Sequence, residues 1–83
     1  MIMPQVLRHN GFRVVIYPND HLPCHVHIFK GSGEVRINLG GKDTSPTLMT
    51  ITGQISDKDV VKSLCLVKEH QADLLAQWRK IHE

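Results

Sequence analysis

The chain has 83 residues, enough for one small domain in which roughly 60% of the unfolded surface can be buried. With 41% hydrophobic and 22% charged residues it is too apolar for a disordered chain, and a formal net charge of +2 with an isoelectric point near 8.7 permits an acidic partner such as RNA without demanding one. No stretch approaches the roughly 18 apolar residues of a membrane span, and "MIMPQVLRHNG" lacks the apolar core of a secretory signal, so a cytoplasmic protein without membrane association is expected.

Val6 and Leu7 open a short strand that ends at the turn residues "HNG", and "FRVVIY" is a β-branched and aromatic run closed by "PND". The two predict a hairpin. "HVHIF" and "EVRINL" then flank "KGSG", a connection of hairpin length whose glycines can take positive φ. In the second arm Val35, Ile37 and Leu39 alternate with Glu34, Arg36 and Asn38, and in the first Val26 and Ile28 alternate with His25, His27 and Phe29. "GGKDTSP" reads as a loop, and "TLMTIT" as a further short strand or irregular edge.

The strongest element follows in "ISDKDVVKSLCLVKEHQADLLAQWRKIHE". Ser56 is a good N-cap, Asp59 holds the reciprocal capping position, and acidic residues crowd the first turn. Val60, Leu64, Val67, Leu74, Trp78 and Ile81 form one apolar stripe, broken by polar Gln71 where the heptad calls for an apolar residue. The pattern predicts a helix of about 25 residues, or two helices bent near Gln71. The fold class is therefore α+β: a small antiparallel sheet of three to five short strands packed by a long C-terminal helix, in a single domain 1–83 with sheet and loops over 1–55 and helix over 56–82. Homodimerisation or a partner strand would cover an unpaired sheet edge. Cys24 and Cys65 form no C-x-x-C pair and are expected as thiols, with Cys65 inside the helical pattern in a buried structural role.

"NDHLPCHVHIF" places three of the six histidines, His21, His25 and His27, within seven positions. Residues i and i+2 on a strand point the same way roughly 6.6 Å apart, so His25 and His27 can converge on one small group. Two chemistries use that separation. With His21 as a third ligand and a water, the imidazoles would hold zinc or another divalent ion; alternatively, with no cofactor, one neutral and one protonated imidazole would serve as base and acid on a phosphodiester. Asp20 is suited to orient an imidazole, while Arg36 and Lys30 are candidates for phosphate contact. His9 falls in a turn, and His70 and His82 read as surface residues of the helix. The bland alternative is that the clustered histidines lie on a solvated sheet face or are satisfied by backbone carbonyls.

"MPQVLRHNGFRVVIYPNDHLPCHVHIFKGSGEVRINL", followed by a loop and a helix rich in Leu, Glu and Trp, resembles the small bacterial family known as domain of unknown function 4160. The family pattern has an initial Met-Pro, an aromatic-rich strand, N/D-H-x-P-P-H-V-H, a glycine-containing turn and E-x-x-x-x-L. The resemblance places that motif on Asp20, His21, Pro23, His25, Val26, His27 and Glu34, with Cys24 in place of the second proline. "MI" precedes Met3-Pro4, which leaves Met1 or Met3 as the native start. The resemblance implies a component of a toxin–antitoxin pair with a small cognate partner protein. Three readings follow: a ribonuclease toxin using His21, His25 and His27, a domain binding a divalent metal through the same residues, and a non-enzymatic interaction module.

Overall fold

The computed structural model describes residues 5–82; the Met3-Pro4 feature lies outside them. Five strands, β1 Gln5–His9, β2 Phe12–Val15, β3 His25–Lys30, β4 Gly33–Asn38 and β5 Thr47–Gly53, lie in the order of the sequence in one open antiparallel sheet. Helices α1 Asp57–Glu69 and α2 Gln71–His82 follow. The fold is α+β, as the alternation of residues predicts.

Tight turns set the pairing. Asn10 and Gly11 both take positive φ between β1 and β2, and Gly31 does so between β3 and β4, so the strands return with the twist that hairpins need. Pairing of β3 with β4 puts Val26 opposite Ile37, His27 opposite Arg36 and Ile28 opposite Val35. One sheet face thus carries Val14, Val26, Ile28, Val35 and Ile37, all fully buried and clustered with Val60, Leu66, Val67, Leu74, Leu75 and Trp78 of the helices. "TLMTIT" is a true strand, but an edge one, and every residue of β5 is exposed.

Of the two expected forms, one long helix or two helices bent near Gln71, the structure has the second. Ser56 caps α1 by accepting from the Asp59 amide at 3.1 Å, as its identity predicts. His70 then leaves helical geometry at φ −108° and ψ 17°, and its carbonyl accepts from the Leu74 amide at 2.9 Å to start α2. The break falls beside Gln71, whose side-chain amide donates to the carbonyls of Leu39, Gly41 and Thr44 at 2.7, 3.1 and 2.8 Å. The polar residue that interrupts the stripe therefore ties the helix junction to the 39–44 loop.

The buried face of α1 keeps Val60 and Val67 of the expected stripe but adds Ser63 and Leu66 on one side of them. Ser63, not Leu64, is fully buried, with its hydroxyl donating to the Asp59 carbonyl at 2.9 Å, while Leu64 is half-buried. Cys65 consequently faces solvent, contrary to the buried role expected from the pattern, and both cysteines are free thiols. A Ser that satisfies its own hydroxyl within the helix can occupy a core position that hydropathy alone assigns to its neighbour.

Gln71→Leu would complete the apolar stripe, yet it removes the amide donor shared by the Leu39, Gly41 and Thr44 carbonyls, of which Gly41 and Thr44 keep only a long backbone bond at 3.4 Å. The variant is expected to lose about 1–3 kcal/mol of stability in urea denaturation; a gain would show that the stripe and not the amide fixes the junction.

Candidate functional site

β3 is the central strand, and its pleat sends His25 and His27 to the face opposite Val26 and Ile28. Both imidazoles are nevertheless buried, His25 at 8% and His27 at 4% exposure. The loop between β2 and β3 contributes much of that cover: the Tyr17 ring meets His27 edge-on, with centroids 4.8 Å apart. Trp78, from α2, lies against His25 with centroids 5.4 Å apart.

Asp20 enters the cluster from the same loop. Its amide donates to the Tyr17 carbonyl at 3.1 Å, and the Tyr17 amide donates back to Asp20 Oδ2 at 3.3 Å. This turn directs the carboxylate inward, where the same Oδ2 lies 2.9 Å from His27 Nε2 and 3.4 Å from His25 Nε2. The opposite ring atoms are held as well: His25 Nδ1 donates to the Pro23 carbonyl at 2.8 Å, and His27 Nδ1 to Glu34 Oε2 at 2.7 Å. A carbonyl and a carboxylate are acceptors, so each Nδ1 carries its proton and each Nε2 turns toward Asp20.

Asp20, His25 and His27 each offer one ligating atom, and these atoms lie within 4.8 Å of one another. With each Nδ1 donating outward, the two Nε2 atoms and one oxygen of Asp20 converge on one small space, with the second carboxylate, Glu34, behind His27. Cation binding is therefore what the arrangement can do chemically.

The chain matches, over residues 11–79, a family described as a domain of unknown function, DUF4160. It belongs to that family. No curated protein and no solved structure matches it significantly. The match runs from the turn before β2 to the last turns of α2, and so includes Asp20, His25, His27 and Glu34.

Of the candidate site residues read from the sequence, Asp20, His25 and His27 come together, while His21, Lys30 and Arg36 do not join them. His21 is exposed, because the turn that points Asp20 inward leaves its neighbour facing out. Lys30 is three positions from His27 and so projects from the other sheet face, where its ammonium lies 4.7 Å over the Phe12 ring and donates to the Asn10 carbonyl at 3.0 Å. Arg36 shares the histidine face, directly opposite His27, and is exposed.

The structure adds Tyr17 and Trp78, and gives Glu34, a residue of the family motif, its place beside His27. Glu34 is the diagonal cross-strand neighbour of His27 and had a signal in its period-two relation to Arg36, but diagonal contact needs the register. The two aromatics come from separate segments that no spacing rule connects to the histidines. His82, expected at the surface, is half-buried and stacks on Trp78 with centroids 3.8 Å apart, its Nδ1 donating to the Trp78 carbonyl at 2.8 Å.

Glu34→Ala leaves His27 without its Nδ1 partner and is expected to cost about 1–3 kcal/mol in thermal or chemical unfolding. His21→Ala should change stability by less than about 0.5 kcal/mol, since nothing in the cluster depends on it. The reverse order of effects would show that the site is organised around His21.

Proposed function

We propose that this domain binds one divalent transition-metal ion through Asp20 Oδ2, His25 Nε2 and His27 Nε2. One observation carries the reading: both Nδ1 atoms are fixed by acceptors while both Nε2 atoms converge on a single carboxylate oxygen. Metal-ligating histidines characteristically donate their other N–H to a carboxylate or a backbone carbonyl, which sets the tautomer and ring orientation. Here Glu34 and Pro23 supply one of each.

The donor set selects the class of ion. Two imidazoles and one carboxylate favour Zn²⁺ or Fe²⁺ over Mg²⁺ or Ca²⁺, which prefer oxygen ligands. Three protein ligands leave room for water or a substrate atom, the ligand count of a catalytic centre and not of a closed structural one. His21, the third ligand suggested by spacing, gives way to Asp20 in this reading.

A metal-free ribonuclease, the toxin role considered from the sequence, would use His25 and His27 as acid and base. Such a pair must present nitrogens to the reacting atoms. The His27 ring is 4% exposed with its Nδ1 held by Glu34, and a metal held between Nε2 and Asp20 needs no nitrogen presented to a bulky phosphodiester, which supports the metal reading over direct proton transfer.

Calorimetric titration of Zn²⁺ into chelator-treated protein is expected to show one ion per chain. His25→Ala and His27→Ala should each weaken binding by about 100-fold or more, and Glu34→Gln by about 10- to 100-fold through lost ring orientation. His21→Ala should leave affinity within about two-fold. Undiminished binding in either histidine variant would sink the assignment.

A further inference from the structure

The sheet face that carries the histidines also carries arginines that, among the described residues, no carboxylate pairs with. In one row across all five strands run Arg8, Arg13, Phe29, Glu34 and Thr52, and beside it Val15, His27, Arg36 and Thr50. Arg8 and Arg13 are directly paired across β1 and β2, a placement in which like charges destabilise a sheet. Both are exposed, as is Arg36. Among the described residues the salt bridges all involve His25 or His27, so none of these arginines is neutralised. Glu34, the acid in their rows, is committed to His27 Nδ1. The Arg13 guanidinium lies 5.5 Å over the Phe29 ring, which makes a cationic and aromatic platform at the centre of the row.

We propose that this face binds single-stranded RNA, with Arg8, Arg13 and Arg36 on the phosphates and a base against the Arg13–Phe29 platform. Anion binding between Arg8 and Arg13 relieves a repulsion that the folded chain otherwise retains, and the guanidinium fork suits phosphate oxygens. The platform distinguishes nucleic acid from an acidic peptide, because unpaired bases stack on aromatic rings and guanidinium planes. Base faces are available in a single strand and hidden in a duplex. Thr50 and Thr52, exposed on the same rows, supply hydroxyls that can pair with ribose 2′-hydroxyls. The inference stands apart from the metal centre and is tested without metal.

The full chain, in chelator, is titrated against labelled single-stranded RNA of about 12 nucleotides by fluorescence anisotropy, beside single-stranded DNA and duplex RNA of the same sequence. Three phosphate contacts predict a log–log salt slope of about −2, or about an 18-fold loss of affinity between roughly 50 and 200 mM salt, a reading that needs no variant. Arg8→Gln/Arg13→Gln/Arg36→Gln should weaken binding at least about ten-fold and flatten the slope, while Phe29→Leu should weaken it about five-fold or more with the slope kept. Lys68→Gln/Arg79→Gln/Lys80→Gln, an equal charge change on the helices, should stay within about two-fold, with circular dichroism confirming that every variant is folded. Equal loss in the helix variant, equal affinity for duplex RNA or single-stranded DNA, a slope near zero, or displacement of RNA by a polyglutamate peptide at equal concentration would overturn the proposal.

Discussion

The burial of Val26 and Ile28 fixes almost everything else that matters in this molecule. They are fully buried against the helices from the central strand, and side chains alternate across a strand with period two. His25 and His27 are thereby held on the opposite face, and a slip of one residue would exchange the two sets and place imidazoles in the apolar core. Pairing with β4 extends the constraint, since the register that sets Ile28 against Val35 also sets His27 against Arg36 and within diagonal reach of Glu34. The apolar face thus acts as the jig in which the polar cluster is assembled.

Burying that cluster is tolerable because its polar atoms are partnered. Each Nδ1 of His25 and His27 donates to a carbonyl or a carboxylate, which offsets part of the desolvation of the two imidazoles, while both Nε2 atoms crowd a single Asp20 oxygen. The cluster is also tied to the rest of the chain: the Trp78 ring belongs to the helix–sheet core and touches His25. The helices contribute to the site by closing one side of it, although they supply none of the three converging atoms.

Much of the fold was legible because local pattern and tertiary role agree. The alternation in "HVHIF" and "EVRINL", the glycine turn between them and the capping serine each state one local preference, and the sheet and α1 use all of them. The features that escaped depend on through-space information. Ser63 takes the buried position beside a half-buried Leu64 because a hydroxyl can be satisfied within its own helix, and the break at Gln71, legible in the stripe, has its cause in loop carbonyls that only the fold brings opposite it. At the site, His25, His27 and the orienting carboxylate of Asp20 could be read from their neighbourhood in sequence. That Asp20 and not His21 turns inward could not, because a hydrogen-bonded turn with Tyr17 decides it.

The division of the sheet into two faces has a further consequence for a chain of this size. A domain this small has one core, and the helices spend the apolar sheet face on it, so chemistry is confined to the other face and to the loops at its end. On that face the requirements of stability are already met elsewhere, and charged residues can be kept in positions that a sheet optimised for stability alone would avoid. The paired Arg8 and Arg13 are such a case, and so is a carboxylate oxygen faced by two Nε2 atoms. Both are local electrostatic frustrations of opposite sign, one inviting an anion and the other a cation, set on the same side of one sheet. Folding physics alone would remove them, and so they are the places where binding is to be sought.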